Sequence, residues 1–165
     1  MSMSDTVLDQ PSLQTTAGST SPILEKARLR AAEEGLPFAG SVSPLDAWNL
    51  VTAGKAVLVD VRTAEERKFV GHVPESTHVA WMTGLSLSRN PRFAKELEHK
   101  VGKNDVVLLL CRSGKRSAAA AEAAAKAGFT NVFNINEGFE GDLDALQRRG
   151  AFNGWRHAGL PWIQD

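Results

Sequence analysis

One sulfur atom capable of covalent chemistry stands in this chain of 165 residues, that of Cys111, the only cysteine. It heads the run Cys-Arg-Ser-Gly-Lys-Arg-Ser, residues 111–117. Arg112, Lys115 and Arg116 bring three positive charges to that run, while Ser113, Gly114 and Ser117 are small enough for a tight turn. Cations and free backbone N–H groups around a thiol favour its anion, and the thiolate is the nucleophilic form. A free cysteine ionises near pH ~8.5, so only about 3% is thiolate at pH 7. Making most of it thiolate requires roughly 2.7 kcal/mol of preferential stabilisation of the anion. A helix amino terminus contributes about 0.3–1 kcal/mol, or up to about 2 when partly buried. Charge-assisted N–H bonds and the neighbouring cations can supply the remainder.

The flanking residues predict how the loop is held. Asp105-Val-Val-Leu-Leu-Leu110 reads as a buried strand, and Ser117 to Ala127 as an alanine-rich helix that Gly128 stops. Strand, tight loop and helix place Cys111 at the carboxyl edge of a sheet, beneath a helix amino terminus whose N–H groups and dipole attract an anion. The alternative is an inert buried cysteine at a strand end. The apolar run stops at Leu110 and gives way to cations, which suits an anion better than a core.

The loop resembles the active-site loop of rhodaneses, sulfurtransferases that carry sulfane sulfur as a cysteine persulfide. Three further stretches resemble that family in its own order: Leu58-Val59-Asp60-Val61-Arg62, Phe69-Val70-Gly71-His72-Val73-Pro74-Glu75-Ser76, and Gly154-Trp155-Arg156-His157-Ala158-Gly159-Leu160-Pro161. The resemblance spans about residues 40–163. It implies an α/β fold of three layers, with a parallel sheet of about five strands covered by helices on both faces. It implies that Cys111 takes sulfur from thiosulfate or a similar anionic donor, with Arg112, Ser113, Gly114, Lys115, Arg116 and Ser117 forming the substrate loop. The acceptor is a thiophile such as cyanide, a thiol or a protein. Asp60 and Arg62 then brace the site, and neither a metal nor an organic cofactor is implied. The family's mercaptopyruvate enzymes differ in the second half of this loop, which ranks that donor below thiosulfate. Phosphatases and arsenate reductases of the same fold class need Cys-x5-Arg; six positions after Cys111 stands Ser117. Two other functions stay open: a persulfide carrier serving a partner protein, and a non-catalytic binding module. The intact cysteine and cationic loop count against the module.

The rest of the chain reads as scaffold. Nineteen basic and nineteen acidic residues give no net charge to draw nucleic acid or a membrane surface. One cysteine allows no internal disulfide, which fits a reducing compartment, and no second thiol to receive the sulfur; the expected location is the cytoplasm. Residues 1–22 read as a disordered leader and 23–39 as a helical extension that packs on the domain of residues 40–165. Ser43 to Ala53 is expected to be a helix with Leu45, Trp48 and Val51 inward, followed by a strand from Ala56 to Val61. Thr63 to Phe69 is a charged helical turn with Glu65, Glu66, Arg67 and Lys68 solvated. His72 is expected to bond backbone in its turn, and His78, His99 and His157 lack metal-ligand spacing. Thr77 to Trp81 and Asn131 to Ile135 are further strands, 82–88 a loop, and Arg92 to Val101 a helix with Phe93 and Leu97 inward. Trp81 and Met82 are candidates for a pocket wall or, equally, for core packing. Residues 139–153 depart from the family pattern as a polar insertion at one end of the sheet, able to overhang the cysteine.

Overall fold

A computed structural model describes residues 21–165, so the expected leader lies outside the described residues except for Ser21 and Pro22. In chain order the elements are α1 (Pro22–Glu34), β1 (Gly40–Val42), α2 (Pro44–Thr52), β2 (Val57–Asp60), α3 (Ala64–Phe69), β3 (Thr77–His78), β4 (Met82–Thr83), β5 (Ser88–Arg89), α4 (Phe93–Lys100), β6 (Val107–Leu110), α5 (Lys115–Lys126) and β7 (Val132–Ile135). Five strands form a parallel sheet in the order β1-β7-β6-β2-β3, and β4 and β5 form a small antiparallel hairpin. The sheet has the five strands expected, but the sequence locates only four: Gly40-Ser41-Val42 is too short to show a period, and its pairing with Phe133, Asn134 and Ile135 makes it the fifth, β1.

Alternation along the central strands separates two cores. Leu108 and Leu110 join Phe133, Ile135, Leu24, Ala47, Leu50 and Trp155 on one face, under α1 and α2. Val107, Leu109 and Cys111 join Val132, Phe93, Leu97, Ala120, Ala121 and Ala124 on the other, under α4 and α5. The protein is therefore a three-layer α/β domain, as its sequence leads one to expect. The alanines of α5 serve close approach: Ala120, Ala121 and Ala124 are fully buried. Among the described residues no helix is long and apolar enough to cross a membrane.

Several local expectations shift. In α2 the Ser43 hydroxyl caps the Asp46 N–H at 3.1 Å, as expected. The buried positions, however, are Pro44, Ala47 and Leu50, and Leu45 is 55% exposed. Trp48 and Val51 only flank that core, so the inward face is displaced by one residue from the larger side chains. Helix α5 begins at Lys115, two residues early, because Gly114 serves as its N-cap. Trp81 lies in the core edge-on to Phe93, with ring centroids 5.2 Å apart, and is no open pocket wall. Residues 82–88 contain the β4 strand and the turn to β5. Helix α1 packs tightly: a Cβ at Gly40 would lie 2.7 Å from the Ala27 carbonyl oxygen.

Candidate active site

Strand β6 ends at Leu110, and the next residue, Cys111, points its side chain to the α5 face by the alternation that puts Val107 and Leu109 there. The residue is 1% exposed, so it is part of the core as well as of the loop. The sequence sets those roles against each other; the structure combines them by surrounding a buried sulfur with hydrogen-bond donors. The backbone N–H of Gly114 lies 3.1 Å from Sγ, and the N–H of Ser117 lies 3.2 Å from it. The Ser117 hydroxyl is also 3.2 Å away. Gly114 reaches this geometry at φ 98°, a left-handed conformation that favours glycine. These contacts sit at the first turn of α5, where N–H groups have no partner within the helix.

The basic residues of the loop do three different things. Lys115 is exposed. Arg116 reaches back 50 residues to Glu66, its two terminal nitrogens each 2.8 Å from a carboxylate oxygen. Burial pushes the Glu66 carboxyl up, but the Arg116 guanidinium, the Thr63 N–H and the charge of Arg62 together outweigh it and hold the group down at about 2. The same contact raises Arg116 against the effect of burial, with the charges of Cys111 and Asp60 adding to it. Arg112 keeps its Nε buried without a hydrogen-bond partner. Its carbonyl accepts from Glu140 N–H at 3.0 Å and Gly141 N–H at 3.2 Å. Ser113 is partly buried between Arg112 and Gly114.

Beside this loop lies a cleft of about 430 Å³, walled by Phe69, Leu85, Leu87, Arg112, Arg116 and Glu140 among others. Phe69 and Leu85 are 68% and 90% exposed. Helix α3 contributes Glu66 to this wall, held by a reciprocal cap in which Thr63 Oγ accepts the Glu66 N–H and Glu66 Oε1 accepts the Thr63 N–H. Glu66 and Arg67 are thus bonded parts of the site's surroundings and not the solvated charges expected from the sequence.

Asp60 and Arg62 lie one strand away, both fully buried. The Asp60 carboxylate accepts from Arg62 Nη2 at 2.8 Å and Arg67 Nη1 at 3.0 Å. Arg62 also donates to the Gly71 carbonyl at 2.8 Å and lies over the Phe139 ring, 4.3 Å from its centroid. The Phe139 N–H in turn donates to the Cys111 carbonyl at 2.7 Å. The pair therefore meets the loop through Phe139. His72 bonds backbone: its ring Nδ1 lies 3.3 Å from the Arg67 carbonyl, and its main chain pairs with Ile163. The 139–153 stretch forms no helix; its base meets the Arg112 carbonyl and its far end is tied by Asn153 to Asp142.

Sequence reading missed Asn134. This β7 residue is 6% exposed, its Nδ2 donates to the Gly114 carbonyl at 3.2 Å, and its Oδ1 accepts from the Ser117 hydroxyl. The signal was present: one amide in an otherwise apolar strand, Val-Phe-Asn-Ile, needs buried partners. Its neighbour at the period of two, Val132, faces α5 and Cys111.

Similarity to known proteins bears on the fold and the family. Residues 43–145 match the family model described as Rhodanese-like domain. An uncharacterised protein of Rickettsia prowazekii (strain Madrid E) is 37% identical over 117 residues, covering 68% of this chain and 87% of that protein. Thiosulfate sulfurtransferase 16, chloroplastic, of Arabidopsis thaliana is 35% identical over 133 residues, covering 79% of this chain and 97% of that one. The crystal structure of a protein from M. tuberculosis superposes with a TM-score of 0.71 at 44% identity, over 78% of this chain and 99% of that chain.

Proposed function

The chain belongs to the rhodanese-like domain family, and from that membership we propose that it is a sulfurtransferase working through a persulfide on Cys111. The observation that carries the proposal is the convergence of two backbone N–H groups and one hydroxyl on Sγ. Such donors stabilise a sulfur anion in a water-poor setting. Likeness to a protein named thiosulfate sulfurtransferase supports thiosulfate as donor.

The reaction balances in two displacements. The Cys111 thiolate attacks the outer sulfur of thiosulfate, the sulfur–sulfur bond of the donor breaks, and sulfite leaves with the electron pair. The new persulfide carries the negative charge on its outer sulfur. An acceptor nucleophile such as cyanide then attacks that atom, and the thiolate of Cys111 leaves to close the cycle. Arg112, from its place in the cleft wall, would receive the sulfonate oxygens; Arg116, paired with Glu66, would act through its remaining field. Neither step uses a redox cofactor. A thiol that must remain free suits a reducing compartment such as the cytoplasm.

Intact mass after incubation with thiosulfate tests this. A gain of one sulfur, about 32 Da, by the parent and not by Cys111→Ser supports the persulfide step. No gain with thiosulfate would reject it as donor. The exposed apolar rim of Phe69 and Leu85 beside the cleft favours a second reading, in which the loaded persulfide is handed to a protein acceptor. Rapid loading with slow turnover to cyanide would select it.

A further inference from the structure

We infer that Asn134 is a positioning residue for Cys111, acting through Ser117 and Gly114; the inference rests on the cysteine chemistry proposed above. Every hydrogen bond that reaches Sγ from the loop comes from one of those two residues. Asn134 holds both of them, one with each end of its amide. It stands on β7, an internal strand of the sheet, so it ties the loop to the strand beside β6.

The amide has only one workable orientation. A carbonyl such as that of Gly114 can only accept, so it must face Nδ2, which leaves Oδ1 toward Ser117. The reverse orientation would set two oxygens against each other at Gly114. The Ser117 hydroxyl then has one proton and two acceptors within reach, Asn134 Oδ1 and Sγ. With sulfur as the neutral thiol, S–H donates to Ser117 Oγ and the hydroxyl donates to Asn134. With sulfur as the anion, the hydroxyl proton rotates onto sulfur, Asn134 Oδ1 gives up its donor and the two oxygens draw apart, while Nδ2 keeps its bond to the Gly114 carbonyl. The third donor is therefore at hand when charge appears, needing only a small shift of the hydroxyl, and the Gly114 N–H stays aimed at sulfur throughout.

Gly114 supplies the second half of the argument. As N-cap of α5 it has no side chain to cap the helix, and among the described residues no side-chain cap bond replaces it. Its left-handed backbone keeps its N–H on sulfur, and the Asn134 amide bonds the carbonyl of the same residue. Without Asn134 that carbonyl loses a buried donor, and the Ser117 hydroxyl becomes free to turn toward backbone acceptors of its own helix.

The test uses alkylation of Cys111 by iodoacetamide, which reads the sulfur whether or not the protein transfers sulfane sulfur. Asn134→Leu, Ser117→Ala and the double variant are compared with the parent across pH 5–10, and single-turnover loading from thiosulfate is measured beside them. Asn134→Leu should move the alkylation profile to higher pH and slow alkylation at pH 7 by about tenfold. Ser117→Ala, which keeps both backbone donors and guards against a misfolded Asn134 variant, should shift the profile in the same direction by less. The double variant should match Asn134→Leu, because the hydroxyl has lost its effect once the amide is gone. An unshifted or lowered profile for a folded Asn134→Leu, an unshifted profile for Ser117→Ala, or simple additivity of the two would overturn the inference. A shifted profile in a protein that never loads sulfur from thiosulfate would uphold the positioning role and reject the donor instead.

Discussion

Arg116 and Glu66, 50 residues apart, close a two-armed ion pair with both bonds at 2.8 Å, each side chain less than one-fifth exposed. Part of the loop's positive charge is thereby neutralised before any substrate arrives. The pair also ties the first turn of α5 to α3, so one contact serves both electrostatics and architecture.

The pair makes stability depend on acid. Glu66 is held at about 2 against an ordinary value of 4.5. Because the folded value is depressed, its contribution is fully present above pH ~4.5 and is lost as pH falls toward ~2. The magnitude is on the order of 2–3 kcal/mol. The lead of the parent over Glu66→Gln in urea midpoint should therefore be full at pH 6 and shrink to roughly a quarter at pH 2.5. Parallel curves would show that the pair contributes nothing to folding.

Arg112 and Arg116 should separate in mutagenesis. Arg112→Ala removes a cleft-wall guanidinium, and is expected to raise KM for thiosulfate about tenfold while leaving the urea midpoint close to the parent's. Arg116→Ala leaves the partly buried Glu66 carboxylate without its partner and should lower stability by about 1–3 kcal/mol. Equal KM effects with equal stability would remove the distinction.

Asp60 lies fully buried between Arg62 and Arg67. Asp60→Ala leaves the buried Arg62 charge uncompensated, and the expected loss is about 3–5 kcal/mol. Denaturant unfolding measures this directly. A loss below about 1 kcal/mol would mean that Arg62 finds other partners.

Gly138 sits at φ 69°, where a Cβ would fall 2.6 Å from the Cys111 carbonyl oxygen. Gly138→Ala should push on the backbone of the cysteine loop and cost at least about 2 kcal/mol. It should also change the rate of Cys111 alkylation, since Phe139, the next residue, bonds the Cys111 carbonyl. Unchanged alkylation in a destabilised variant would show that the loop is held from α5 alone.

The α/β class, the strand–loop–helix setting of Cys111 and the cationic loop were legible in the sequence, because each rests on local pattern. The continuous apolar run Val107–Leu110 marks a strand buried on both faces, a small-residue turn separates strand from helix, and Pro44 behind Ser43 opens α2. Two kinds of feature were decided only by tertiary structure. The first is the inward face of α2, where Ala47 and Leu50 displace the larger Leu45: burial depends on where the neighbouring sheet lies as well as on side-chain size. The second is pairing across long separations. Glu66 with Arg116, and Asn134 with Gly114 and Ser117, join residues whose own neighbourhoods give no sign of the partner. Charge and amide groups act through space over a few ångströms, and only the folded sheet brings those positions within that range.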